Sequence, residues 1–402
     1  MGRRAALLSL AMLAAPAPAA ADADAPDAAP RPTASSEFAL ERAYTTNALD
    51  RAEALPDRIN ALRGGVAVVV PFDAGRLRIA VNAEQTAHER YDIEDDSALR
   101  LSLASEHAAT ERLSLGAETF FAIESEGDDV DIDDIVLGIR TRTLSGGAAL
   151  KAGYRISEKL ALSGEISAAA ARPDAAIFEA GLVEPTQLSA RRDTLGGGLR
   201  LAYAAGSATY AGAAGAELIR VGTPGEPPYD YRAGRQFARG EATAQWNGLA
   251  LKAAAGAERL GVEGGVFAVV RPSLALEATY TFAGGATLRG AVAAGLDLVG
   301  GDDPLGSWLR AIEVEAGVPL GERLKLTAGG SLSRRENFLL GYEEDGWQAW
   351  TGARVALVDG LSLNVDLGAS SRRPRLDGAA AIASLDAAVS LVVALPAPGK
   401  AQ

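Results

Sequence analysis

The sequence predicts an all-β fold, a transmembrane antiparallel up-and-down β-barrel. Three observations predict it: alternation of apolar and polar residues, short polar turns at regular intervals, and two classes of connection that take turns along the chain. Arg76-Leu77-Arg78-Ile79-Ala80-Val81, Arg112-Leu113-Ser114-Leu115, Lys159-Leu160-Ala161-Leu162, Lys325-Leu326-Thr327 and Ser362-Leu363-Asn364-Val365-Asp366-Leu367 share one pattern. A period of two puts Leu, Ile and Val on one face of a strand and the polar residues on the other. Repeated from end to end, this calls for an apolar solvent on one side and a polar one on the other. Lipid outside and water inside satisfy it.

The ends agree. Met1-Gly2-Arg3-Arg4 reads as a basic n-region, Ala5 to Ala15 as an apolar h-region and Ala19-Ala20-Ala21 as a cleavage site, so 1–21 is expected to be a secretory signal peptide. Residues 22–36, rich in Ala, Asp and Pro, read as a flexible periplasmic lead. The barrel is expected over 37–396, with a short tail at 397–402. The absence of cysteine removes disulfides, thiolate metal sites and lipid attachment at an N-terminal cysteine. A formal net charge of −13 argues against nucleic acid as a partner. The segment Ala379 to Leu395 nears the length of a helical span, but Asp386 interrupts it and Leu385, Ala387, Val389, Leu391, Val393 and Leu395 share a strand face.

Tight turns are expected at Asp73-Ala74-Gly75, around Glu106 to Glu111, and at Ser157-Glu158-Lys159, Ala205-Gly206-Ser207, Asn247-Gly248, Gly284-Gly285, Gly321-Glu322 and Asp359-Gly360. External loops are expected at 49–58, 92–97, 127–134, 173–190, 222–235, 300–307, 337–346 and 374–380. With 262–284 counted as one strand the total is about eighteen; Arg271-Pro272-Ser273 reads either as a turn splitting that strand or as a bulge within it, and sixteen strands is the second choice.

The faces follow from the alternation. Leu113, Leu115, Ala117, Phe121 and Ile123 are assigned to lipid, opposite Ser114, Gly116, Glu118 and Glu124; Phe120 breaks the pattern. A charge at the bilayer midplane costs about 2–4 kcal/mol, so charged residues are assigned to the lumen. The expected lumen set is Arg76, Arg78, Arg100, Arg142, Lys151, Arg200, Arg289, Lys325 and Arg354 with Glu118, Glu165, Glu277, Asp297, Glu313, Glu315 and Asp366. Arg191 and Arg192, at the end of the longest loop, are candidates for a positive constriction. Tyr91, Tyr154, Tyr203, Tyr210, Trp246, Tyr280, Trp308, Tyr342, Trp347 and Trp350 fall near strand ends, as a headgroup girdle does.

Other sites fare worse. Asp129, Asp131 and Asp133 have the spacing that opens a calcium loop, but position 134 is Asp where Gly is needed and Arg140 stands in place of the closing Glu. A solvated acidic loop is the plainer reading. Of the two histidines, His107 falls in a periplasmic turn and His88 has no serine at a recognisable spacing. Catalysis and cofactors are not expected.

The run Phe38-Ala39-Leu40-Glu41-Arg42-Ala43-Tyr44-Thr45-Thr46-Asn47-Ala48-Leu49-Asp50 resembles the first strand and external tip of Gram-negative outer-membrane barrels of the porin type. The resemblance implies an outer-membrane location, insertion by the barrel-assembly machinery and contact with lipid and lipopolysaccharide. Barrels of this kind usually end in Phe; here the last strand is expected to stop at Leu395. The leading expectation is a channel for passive diffusion of small hydrophilic solutes. The alternative is a non-conducting barrel serving envelope structure or polysaccharide secretion. Oligomeric state is not legible.

Overall fold

A computed structural model describes residues 32–395 apart from 50, 52, 133–134, 179–183, 187, 224–228, 299–304 and 377. The expected signal peptide, the Asp22–Arg31 part of the lead and the tail lie outside the described residues. Nineteen strands follow one another: β1 (Thr33–Thr45), β2 (Asp57–Phe72), β3 (Gly75–His88), β4 (Ser97–Ala108), β5 (Leu113–Ile132), β6 (Ile135–Arg155), β7 (Leu160–Pro173), β8 (Ile177–Phe178), β9 (Arg191–Ala205), β10 (Ala208–Thr223), β11 (Tyr229–Trp246), β12 (Leu249–Val262), β13 (Ala268–Thr281), β14 (Thr287–Asp297), β15 (Ser307–Leu320), β16 (Leu324–Asn337), β17 (Glu343–Val358), β18 (Leu361–Pro374) and β19 (Ile382–Leu395). β1 starts at Thr33, so the barrel begins inside the segment read as lead.

Every neighbour in the ring is antiparallel, and β1 pairs with both β2 and β19. Among the described residues, β8 pairs only with the external end of β6. The result is a closed eighteen-strand barrel. Strands about 4.8 Å apart and tilted about 40° give it a backbone diameter of about 35 Å. Closure leaves no full-length sheet edge, which is what spanning a bilayer with strands demands.

Chain-local chemistry sets the turns. Asn247 (φ 33°) and Gly248 (φ 89°) both take positive φ, the two-residue hairpin geometry whose twist matches the strands. The stretch 262–284 holds one strand, as read, with its bounds drawn in: β12 stops at Val262 and β13 runs from Ala268 to Thr281. The signal was Gly264-Gly265, both left-handed (φ 83° and 72°), which reverse the chain there. Arg271-Pro272-Ser273 is not a turn and lies inside β13.

Antiparallel partners share a face, so the pairings carry one face assignment around the whole ring. Leu40, Leu62, Leu99, Phe121, Leu150, Ile166, Leu199, Leu218, Ile312, Leu332 and Leu391 all fall on the same face. Several are more than half exposed: Leu150 at 55%, Ile166 at 60% and Leu199 at 64%. So much contiguous bare apolar surface suits hydrocarbon and not water. At the periplasmic end of this face stand Tyr154, Tyr203, Tyr210, Trp246 and Tyr280, each 40–54% exposed, forming a girdle.

Candidate functional site

The other face carries the charges. Glu258 on β12 shows which way it points. Its Oε2 accepts a hydrogen bond from the backbone N–H of Leu296, 3.2 Å away on β14, beyond the intervening β13. The end of β14 thus lies over this face, while the opposite face carries the exposed apolar residues that suit lipid, so this face is the interior.

The register puts Arg76, Arg78, Arg100, Glu118, Glu165, Arg200, Glu277, Arg289, Glu313, Glu315, Lys325 and Asp366 on that interior face, with Lys151, Asp297 and Arg354. Arg142 is the exception. It pairs with Ser125 on the outward face, at the external end of the long β5–β6 hairpin. Charge there lies beyond the hydrocarbon and has no reason to turn inward.

Many interior charges are paired across strands. Arg63 forks between Glu41 (2.8 Å) and Glu84 (2.6 Å). Glu241 bridges Arg200 (2.7 Å) and Arg239 (2.9 Å), and Lys151 meets Glu118 at 2.8 Å. Lys252, Glu277, Arg289 and Glu313 form a chain of contacts at 3.3, 3.0 and 2.5 Å. Arg100 lies over the inward Phe120 ring at 4.4 Å. Trp350 also faces inward; its indole lies so close to Gly329 that a Cβ there would sit 2.4 Å from the ring.

The external mouth departs from a simple cylinder. β13 pairs with β14 only between Leu274 and Thr281, so Ala268 to Ser273 have no ladder partner on that side. Pro272 falls in this stretch, where a residue without an N–H is tolerated because the strand is an edge. Beyond Ala294, β14 leaves the wall and folds inward with the external ends of β15 and β16. Their outward face then lies on the inward face of β12 and β13. Arg271 of β13 pairs with Glu336 of β16, and Trp308 of β15 lies between the guanidinium groups of Arg271 (5.3 Å) and Arg310 (4.5 Å).

An apolar core fills the fold-over: Ile219, Val221, Tyr231, Ala233, Leu260, Leu296 and Leu298, with Phe267, Leu305 and Phe338 packed against them. Leu260 is fully buried although it belongs to the interior face. The sequence signal was the adjacent pair Leu218-Ile219, where two apolar residues in a row force one inward. Arg192 also points inward and donates to the Leu298 carbonyl. Arg191 points outward. The fold-over at the external mouth is built by the ends of β14–β16, with Arg192 bracing it. The long 173–190 loop instead adds β8 to β6.

Asp129 and Asp131 lie on β5 and Asp133 lies outside the described residues. Among the described residues no group of acidic, His or Cys side chains is placed to hold a metal. The external turn before β4 is nevertheless tightly held. Gly127 N–H donates to Asp96 at 3.0 Å, and Arg140 donates to the Asp95 and Asp92 carbonyls at 2.6 and 3.2 Å. Burial, followed by the neighbouring charge of Asp128, pushes the Glu94 carboxyl up to about 7.

No protein-family model matches the chain, and no curated protein sequence matches it. Among solved structures, the copper transporter OprC superposes with a TM-score of 0.54 at 13% identity, over 88% of this chain and 63% of OprC. The FrpB iron transporter from Neisseria meningitidis (F3-3 variant) gives 0.51 at 9% identity, over 85% of this chain and 62% of FrpB. The chain thus spans about three fifths of the length of either transporter. At these identities the likeness speaks to fold. With the closed ring and the apolar outer wall, it establishes a β-barrel of the Gram-negative outer-membrane type.

Proposed function

We propose that the barrel is a porin-like channel for passive diffusion of small hydrophilic solutes, narrowed at its external mouth by the infolded ends of β14–β16. One observation carries this reading: the interior face below the infold is lined by charges of both signs around the ring. Such a lining holds water, and at this diameter there is room for a channel.

Charge placement supports a selective field. Glu165 on β7 and Arg354 on β17 stand nine strands apart either way around the ring, on opposite walls at similar height. Lys325 sits beside Arg354 in register. None of the three has an ion-pair partner among the described residues. A field from cation to anion across the bore orients dipolar solutes and biases ion passage.

Planar-bilayer recording of purified protein tests the proposal. Steady conductance steps are expected, with a reversal potential that moves toward cation preference in the Lys325→Glu, Arg354→Glu variant. A folded barrel that stays silent would overturn it in favour of the structural or secretion-associated alternative.

A further inference from the structure

The outer wall carries a second feature, independent of conduction. On β9–β12 the outward face is hollowed into a groove of about 730 Å³. Leu195, Leu218 and Gly234 line its lower part, and Arg220 and Arg232, opposite each other in register, its rim; on β12, Arg259 lies on the periplasmic side of Gly261. Its depth comes from glycine: a Cβ at Gly234 or Gly261 would have no neighbour within 4 Å.

The groove's height is set by the strands beneath it. Tyr203 and Tyr210 pair in the periplasmic girdle. Above Tyr210 the outward residues are Gly212, Ala214, Ala216 and Leu218, followed by Arg220. Ten residues at about 3.4 Å along a strand tilted about 40° rise about 26 Å, which matches the apolar band of an outer-membrane barrel. The arginines therefore begin where hydrocarbon ends and outer-leaflet headgroups start.

Their charge is only partly answered. Arg172, Arg191, Arg220 and Arg232 share the outward rim with Asp193, Asp230 and Glu263, and Arg259 lies just below it. Arg220 meets Asp230 at 2.8 Å, and Arg172 pairs with Asp193. Arg232 and Glu263 are 3.9 Å apart and both more than two thirds exposed. Arg191 and Arg259 have no ion-pair partner among the described residues. In a chain of net charge −13, this is a local cationic excess at the lipid–water boundary. Elsewhere on the outward rim, Arg334 and Arg375 share Asp345 at 2.6 Å each.

We infer that this groove binds a phosphorylated lipid of the outer leaflet, with acyl chain along Leu195, Leu218 and Gly234 and phosphate on Arg220 and Arg232. Guanidinium groups suit phosphate because their planar fork donates paired hydrogen bonds. Apolar floor and cationic rim together select an anionic amphiphile.

Native mass spectrometry of the purified full chain in non-ionic detergent tests this with two probes, a hexa-acyl diphosphoryl disaccharide lipid and its dephosphorylated form. The phosphorylated lipid should be retained about tenfold more strongly, the scale of one charge-assisted contact. Arg220→Ala with Arg232→Ala should remove that preference. Gly234→Phe, whose Cβ would enter open space, should occupy the groove and cut retention of both lipids. Arg373→Ala, on the outward rim of β18, should change nothing. Equal retention of the two probes, undiminished binding in Gly234→Phe, or an equal loss in Arg373→Ala would each overturn the inference. Heat-modifiable migration on gels confirms that each variant is folded.

Discussion

Arg271 on β13 and Glu336 on β16 belong to opposite faces of the sheet, yet they form an ion pair. In an unbroken cylinder one would point to water and the other to lipid. They meet because the external ends of β14–β16 leave the wall and lie over the inner face of β12 and β13. The pair is a latch on that fold-over, with Trp308 held beneath it. Each side chain is about one third exposed, 32% and 29%, so the pair is desolvated enough to matter and still open to the bore.

Glu336→Gln should loosen the latch while leaving the apolar core beneath it in place. Single-channel recordings should then show larger or more variable conductance than the parent at the same salt. The change should shrink in Leu260→Ala, where the seat of the infold is already damaged; burial of Leu260 makes that truncation cost about 2–5 kcal/mol of barrel stability. Identical step sizes in parent and Glu336→Gln would show that the infold does not limit flow.

Face assignment can be checked with two neighbours on β7. Ile166 points outward at mid-strand and Ser167 points inward, in register with Ala149 and Gly196. Ile166→Arg should destabilise the barrel by about 2–4 kcal/mol in lipid, the cost of a guanidinium near the bilayer midplane. Ser167→Arg, near Glu165 in the bore, should cost far less. Urea unfolding in vesicles reads the difference, and equal losses would contradict the assignment.

The external turn holding Glu94 should respond to pH. Its folded value, about 7, lies above the ordinary 4.5 because burial and the charge of Asp128 penalise the ionised form. A raised acid binds more protons folded than unfolded between those two values, so stability falls as pH rises through the window. Hydrogen exchange in the 91–96 turn and at Gly127 should therefore speed up between about pH 5 and pH 8, beyond the intrinsic pH effect. Glu94→Gln should reduce that excess, leaving the part due to the Asp96 and Glu126 carboxyls, which desolvation also pushes up, and slow exchange at pH 8. A pH-independent opening equilibrium in the parent would refute this account.

Much of the architecture was legible from local chemistry. Strand faces follow from a period of two, and hairpin positions from Asn247-Gly248 and similar pairs. The Gly264-Gly265 reversal was equally local, although the long apolar stretch around it masked the break. Counting in twos from Lys151 already puts Arg142 outward. The error came from weighing its charge over its position beyond the membrane.

What the sequence determined by itself is the closed antiparallel barrel, its lipid-facing Leu and Val rows and the charged interior. Each is a repeat of neighbour-scale geometry, and a ring of hairpins needs nothing longer in range. Tertiary structure alone decided the external mouth and the outer groove. Pro272 weakens one strand–strand seam, but whether β14 stays in the wall or folds inward depends on Leu260, Leu296, Trp308 and Glu336 meeting across strands distant in sequence. Likewise Arg220 and Arg232 become one cationic rim because register sets them opposite each other on neighbouring strands, a coincidence in space that no local pattern encodes.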